Sequence, residues 1–312
     1  MNIAPPGSVV ILGEDANDIA AHLSPALPTL DVRIGGPAPD APYAVIGFAP
    51  GEAIADYGSA DWIHISGAGA NGMLGALSDT ASTPPALITR TVGRMGRQIG
   101  EYVLSYLLAD AQRHAVRRRL QRDHDWDVAA GTPDLIDGKT ALILGTGGIG
   151  SGVALVIGAL GVNCTGASRS GRARDPFAQV VAMDALPKRQ EADLVVGALP
   201  LTPETQGRID ARVFDRLDSA LFVNVGRGAT ADIDAVTAAL AAGRLRHAVL
   251  DVVPTEPLPP GSPLWDHPGI TITPHVSGLT LPDDTAAAFV AAYRALEDGR
   301  RPDLVVDPEA GY

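Results

Sequence analysis

The stretch TALILGTGGIGSGVALVIGALG (140–161) constrains the fold more than any other part of this 312-residue chain. TALIL is an apolar run of strand length, GTGGIG matches the spacing G-x-G-x-x-G, and a helix-like apolar segment follows. A strand that turns through glycines into a helix is the first half of a β-α-β unit, which commits the next strand to lie parallel to the first. In that setting Gly145 permits the tight turn. Gly147 removes a Cβ so that backbone can approach a pyrophosphate, and Gly150 lets the helix pack closely on its strand. Gly148 and Ile149 open the helix, where free N–H groups and the positive dipole end favour an anion. The pattern alone would carry little in a chain with 35 glycines. The flanking strand and helix give it weight against a glycine-rich turn that holds nothing.

The rest of the chain repeats this alternation. SVVILG (8–13), YAVIGFA (43–49), DWIHISG (61–67) and ALITRT (86–91) read as strands, with EDANDIAAHL (14–23) and GEAIADYG (51–58) as helices. GGPAPDAP (35–42) and ASTPP (81–85) punctuate them as turns. GRQIGEYVLSYLLADAQRH (96–114) carries Ile99, Val103, Tyr106 and Leu107 at helical spacing, and so predicts one long amphipathic helix bridging two domains. A second series follows: TALILG (140–145), VNCTGAS (162–168), DLVVGALP (193–200), ALFVNVG (220–226), HAVLDVV (247–253) and ITITPH (270–275). A final helix, TAAAFVAAYRALEDG (285–299), is expected to pack back on the first domain. The fold class is α/β, with two doubly wound parallel sheets.

Charge sharpens the reading of the second strand of that unit. The net charge of -12 argues against general affinity for nucleic acid or anionic membranes, so an anionic cofactor needs a local basic site. An acid about 20 residues beyond the glycines normally bonds a ribose 2′-OH. Here that place holds GASRSGR (166–172), with Ser168, Arg169, Ser170 and Arg172 and no carboxylate. Guanidinium and hydroxyl groups suit a 2′-phosphate, so NADP(H) is expected over NAD(H), with NAD(H) possible. The alternative is that these arginines merely solvate a turn.

Three polar residues close later strands, on the edge where doubly wound sheets bind ligands. Arg227 follows ALFVNVG, Glu256 lies just past HAVLDVV, and His275 ends ITITPH. Arginine clamps a carboxylate and polarises a carbonyl, histidine exchanges a proton, and a glutamate beside it fixes its orientation. The set fits hydride transfer to a carbonyl. GKT (138–140) lacks the first glycine of a P-loop, no serine sits in G-x-S-x-G, and no metal-ligand spacing occurs. His22, His114, His124, His247 and His267 have no partner motif, and His124-Asp125 reads as a solvated turn. The single cysteine, Cys164, excludes an intrachain disulfide, reads as a buried thiol and suits a cytoplasmic location. No signal-peptide start is seen, and VALVIGALGV (153–162) is too short to span a bilayer.

GTGGIG, NVGRG (224–228), LDVVPTEPLP (250–259) and TPHVSG (273–278), in that order, resemble the D-isomer-specific 2-hydroxyacid dehydrogenases over essentially the whole chain. ASRSGR, RMGRQIGEYVLSYLL (94–108), SPLWDHP (262–268) and the final Gly311-Tyr312 resemble more closely the glyoxylate/hydroxypyruvate reductase A branch. The resemblance implies Arg227 as substrate clamp, Glu256 as the histidine's partner and His275 as acid/base. It implies a Rossmann-type NADP-binding domain over 97–280 and a flavodoxin-like substrate domain from 1–96 plus 281–312, with a cleft between them. It implies HISGAGANG (64–72) as the substrate loop, with Ala68, Gly69 and Ala70 at the carboxylate. It adds Leu199, Pro200, Thr205, Val225, Gly226, Asp251 and Gly278 to the cofactor contacts, and a homodimer. The branch implies NADPH-dependent reduction of a short 2-oxo acid. The loop departs from the common GAGVD: Ala70 and Asn71 change the size of one side of the pocket and remove a charge. The basic run Arg113–Arg122 reads as a solvated helix face or a subunit interface. Use of NAD, another 2-hydroxy acid, or a non-catalytic dinucleotide sensor on this fold remain alternatives. The intact Arg-Glu-His set argues against the sensor.

Overall fold

The computed structural model describes residues 4–40, 42–47, 59–79, 85–187, 189 and 191–308. The chain divides into two compact units, Met1–Met95 with Thr280–Tyr312, and Gly96–Leu279.

The first unit contains β1 (Ser8–Ile11), α1 (Ala16–Ala26), β2 (Asp31–Ile34), β3 (Tyr43–Gly47), β4 (Trp62–Ile65), α2 (Asn71–Asp79) and β5 (Leu87–Arg90). The last helix of the chain, α9 (Pro282–Glu297), joins them. All strand pairs are parallel, in the order β2-β1-β3-β4-β5, which is the flavodoxin-like arrangement. β1, β3 and β4 are buried along their whole length, so their sequences read as continuous apolar runs rather than alternating ones. β2 was invisible to that reading. Its DVRI sequence lies at an exposed edge, where burial imposes no pattern. α1 and α9 cover one face, and Ile19, Leu23, Phe289 and Val290 share a core with Val9, Ile46 and Trp62. The Trp62 and Phe289 rings stack at 4.3 Å between centroids. The helix expected over 51–58, the end of YAVIGFA, most of ASTPP and Gly311-Tyr312 lie outside the described residues.

The second unit begins in α3 (Met95–Ala111) and continues with α4 (His114–Asp123), α5 (Val128–Gly131), β6 (Thr140–Leu144), α6 (Gly148–Gly158), β7 (Asn163–Ser168) and β8 (Gln179–Ala182). It ends with β9 (Leu194–Gly197), α7 (Ala211–Phe214), β10 (Ala220–Asn224), α8 (Ile233–Ala241), β11 (Leu245–Leu250) and β12 (Ile270–Ile272). The seven parallel strands run β12-β11-β10-β9-β6-β7-β8. The order in which strands are added therefore reverses between β6 and β9, which places the ligand-binding crevice of such a sheet beside the glycine turn. β8 is the second strand that sequence reading missed, and it too is an edge strand with no buried residue.

The predicted helix over 96–114 is two helices. Arg113 adopts a left-handed conformation (φ 52°), ends the first and allows α4 to restart. The arginines of the 113–122 run are exposed on α4, where Arg117 donates to the Gly131 carbonyl. α3 lies close to α6 because both are glycine-faced: a Cβ on Gly100 would stand 2.7 Å from Val156 Cγ2, and one on Gly152 would collide with the Gly96 backbone. Cys164 is buried in β7, and burial pushes its thiol up to about 11.

Candidate active site

The glycine turn follows directly from β6. Gly145 sits at φ 108°, and a Cβ there would stand 2.5 Å from the Ala198 carbonyl oxygen. Gly150, one turn into α6, would drive a Cβ into the Gly145 carbonyl. Gly147 differs: its backbone is ordinary (φ -70°, ψ -169°), and no protein atom lies within 4 Å of an added Cβ. So Gly145 and Gly150 are fixed by the turn itself, whereas the face of Gly147 is open for a ligand. The first-turn N–H groups of α6, including those of Gly148 and Ile149, belong to this same rim. The residues present thus fit the pyrophosphate of a dinucleotide.

β7 ends at Ser168, beside the turn. Ser168 Oγ accepts from the Gly171 N–H at 3.1 Å and Ser170 Oγ from the Arg172 N–H at 3.4 Å, which folds the 168–172 loop on itself. Arg169 and Arg172 are exposed, and neither forms an ion pair among the described residues. The carboxyl of Glu204 is held below its usual range by the Thr202 hydroxyl first, with a contribution from the Arg169 charge. Sequence reading missed this acidic neighbour of Arg169. Leu199 and Pro200 follow β9, and the Thr205 hydroxyl donates to the Pro200 carbonyl at 2.6 Å, bracing that turn.

NVGRG follows β10 and depends on both its glycines. A Cβ on Gly226 would stand 2.7 Å from the Leu199 carbonyl oxygen, and one on Gly228 would collide with the Val253 backbone. Val225 is buried, and buried Asn224 accepts from the Gly226 N–H at 3.3 Å. Thr230 Oγ1 donates to the Arg227 carbonyl at 2.6 Å. Arg227 is thereby placed beside the loop that follows β11. Burial lowers its guanidinium from the usual value while Glu256 opposes the shift, and arginine remains a cation throughout.

Glu256 and His275 meet in this neighbourhood. His275 Nδ1 lies 2.8 Å from Glu256 Oε2, and Glu256 Oε1 accepts from the Val253 N–H at 3.0 Å. With a carboxylate facing Nδ1, that nitrogen carries its proton, and Nε2 is left to exchange one. His275 itself sits at φ 54°, sparsely populated for a non-glycine residue and frequent at functional sites. Asp251 holds it there. Asp251 is 1% exposed, and its carboxylate accepts from Thr273 Oγ1, from the Val276 N–H and from the Ser277 N–H, while its carbonyl accepts from the His275 N–H. Because the Thr273 hydroxyl donates to Asp251, the Tyr102 hydroxyl, 2.6 Å away, is the donor to Thr273. Tyr102 and Thr273 were not singled out in the sequence; only their place in the strand-end network gives them a role. Gly278 follows this loop, where the Leu279 N–H donates to Gln98 Oε1 at 2.8 Å.

In the first unit, the loop after β4 carries Ala68, Gly69 and Ala70 ahead of α2. Arg90 Nη1 donates to the Ala68 carbonyl at 2.8 Å. His64, beneath this loop, is wholly buried, with Nδ1 2.7 Å from Thr89 Oγ1 and Nε2 3.0 Å from Thr91 Oγ1. It is a core histidine. Burial lowers it to about 3, so it is neutral.

A model of the NAD-binding domain of D-isomer-specific 2-hydroxyacid dehydrogenases matches residues 104–277. The chain belongs to that family. Glyoxylate/hydroxypyruvate reductase A of Serratia proteamaculans (strain 568) is 35% identical over 305 residues, covering 96% of this chain and 97% of that protein. A crystal structure of a family member from Xanthobacter autotrophicus Py2 in complex with NADPH and MES is similar at a TM-score of 0.86 and 30% identity, covering 98% of this chain and 100% of that one. An NADPH-dependent glyoxylate/hydroxypyruvate reductase from Sinorhizobium meliloti, in complex with NADP and sulfate, gives a TM-score of 0.82 at 26% identity, covering 98% and 100%. As a D-2-hydroxyacid dehydrogenase the chain is an oxidoreductase. Among the described residues, no group of three or more His, Cys, Asp or Glu is placed to hold a metal ion, and no helix is long and apolar enough to cross a membrane.

Proposed function

We propose that this dehydrogenase reduces a short 2-oxo acid of the glyoxylate or hydroxypyruvate type to the 2-hydroxy acid, with NADPH preferred over NADH. The observation that carries the reading is the 2.8 Å contact between His275 Nδ1 and Glu256, in a neighbourhood that also holds the half-buried cation Arg227. A bound NADPH supplies the hydride for the carbonyl carbon. Arg227 binds the substrate carboxylate and polarises the carbonyl oxygen. His275 gives that oxygen the proton from Nε2. Glu256 fixes the ring and balances the charge of the imidazolium that precedes proton transfer. Backbone N–H groups at Ala68, Gly69 and Ala70 hold the carboxylate.

Cofactor preference rests on Ser168, Arg169, Ser170 and Arg172, two exposed cations without an ion pair among the described residues and two hydroxyls at the end of β7. The names of the Serratia and Sinorhizobium relatives support the substrate class, and the NADPH and NADP complexes support the cofactor. Mixing enzyme, NADPH and glyoxylate tests the reading: absorbance falls in the wild type, and substituting His275→Ala nearly abolishes the fall. Unchanged turnover in that variant would contradict it.

A further inference from the structure

We propose that Arg90 is a positioning residue for the substrate loop: by holding the Ala68 carbonyl, it aims the Gly69 N–H at the substrate carboxylate. The inference rests on the reading that residues 68–70 contact that carboxylate.

Arg90 is the last residue of β5 and pairs in register with Ile65, the last residue of β4. Its backbone is tied on both sides. The Arg90 N–H donates to the Leu304 carbonyl at 3.2 Å, and the next residue, Thr91, donates from its N–H to the Ile65 carbonyl at 2.9 Å. His64, bonded to both Thr89 and Thr91, joins β4 and β5 beneath the loop. Trp62 Nε1 adds a further donor to Thr89 Oγ1 at 2.7 Å. From this fixed base the guanidinium reaches the Ala68 carbonyl at 2.8 Å, a charge-assisted bond.

The consequence follows from amide geometry. In a trans peptide the carbonyl of one residue and the N–H of the next lie in one plane and point opposite ways. Holding the Ala68 oxygen therefore sets the direction of the Gly69 N–H. The constraint matters because glycine tolerates conformations closed to other residues, so the Ala68–Gly69 plane would otherwise turn easily. A cation on the carbonyl oxygen also polarises the amide and makes its N–H a better donor. A donor fixed before substrate arrives needs no reorganisation on binding.

Steady-state kinetics of the wild type, Arg90→Met and Arg90→Lys with glyoxylate and NADPH test this, alongside inhibition by oxamate, an unreactive analogue, and NADPH affinity by fluorescence. Arg90→Met is expected to raise KM and the oxamate inhibition constant by about tenfold or more at unchanged NADPH affinity. Arg90→Lys, which keeps a cation without the planar fork, is expected to recover part of the loss. A fall in kcat at unchanged KM, the signature of a smaller folded fraction, would overturn the proposal. So would unchanged KM and oxamate inhibition. If Arg90→Met does not fold, Arg90→Lys decides by the same two constants. A wild type that neither reduces any 2-oxo acid nor binds oxamate would instead overturn the substrate reading beneath it, a result visible before any variant is made.

Discussion

The Glu256 carboxylate lies 2.8 Å from His275 Nδ1 through one oxygen and takes the Val253 N–H at 3.0 Å through the other. It therefore fixes an imidazole and is itself fixed by the loop that follows β11. In the proposed reaction the ring is the proton donor, so His275→Ala is expected to lower kcat by about 10²–10⁴ with NADPH affinity unchanged. Glu256→Gln keeps an oxygen for Nδ1 but loses the charge, and is expected to fall between wild type and His275→Ala. Rates and a fluorescence titration of NADPH check both. A Glu256→Gln enzyme as fast as wild type would remove the pair from the mechanism.

Arg227 is half-buried and cationic, a combination stabilised when an anion is bound opposite it. Arg227→Lys is expected to raise KM and lower kcat together, because a lysine cannot hold carboxylate and carbonyl in one plane. Saturation at wild-type glyoxylate concentrations would count against the clamp.

The glycines of the turn make separable predictions. Gly147→Ala meets no protein atom and needs no unusual backbone angle, so its melting temperature should stay near wild type. Its added methyl would occupy the open face, and the affinities for NADPH and NADH should weaken together, by about tenfold or more. Gly150→Ala pushes a methyl into the Gly145 carbonyl and should destabilise the fold itself. A Gly147→Ala protein with wild-type affinity for both cofactors would place the pyrophosphate elsewhere.

Those contrasts also show what the sequence can and cannot express. Gly145, Gly147 and Gly150 share one pattern in the chain, yet the turn dictates two of them and leaves the face of the third open. Arg227, Glu256 and His275 were legible because each follows an apolar strand segment: β10 is buried throughout, β11 over its last three residues, and the ITI of β12 stops just short of the proline before His275. β2 and β8 were not, since exposed edge strands carry no burial pattern. The break at Arg113 was hidden because nothing in its residue type announces a left-handed backbone. Tyr102, Thr273 and Glu204 act through neighbours distant in sequence, and only the fold brings those neighbours together.

His64 predicts an acid sensitivity. In the fold it stays neutral down to about 3, whereas in the unfolded chain it takes a proton near its usual 6.5. Between those values the unfolded state binds more protons, so stability falls as pH falls below the upper one, by up to about 1.4 kcal/mol per pH unit. His64→Gln keeps a donor and an acceptor for the two threonines but does not titrate. Its melting temperature should drop less than that of wild type between neutral and mildly acidic buffer. Parallel drops in the two proteins would show that another group carries the effect.

The most direct measurement is the initial rate of cofactor oxidation with glyoxylate and with hydroxypyruvate, each with NADPH and with NADH. The account predicts fast oxidation of NADPH and slow oxidation of NADH, with Arg169→Ala narrowing the difference by weakening NADPH alone. Faster oxidation of NADH than of NADPH would contradict the role given to Ser168, Arg169 and Arg172. Oxidation of neither cofactor, by an enzyme that binds them, would contradict the proposed substrate.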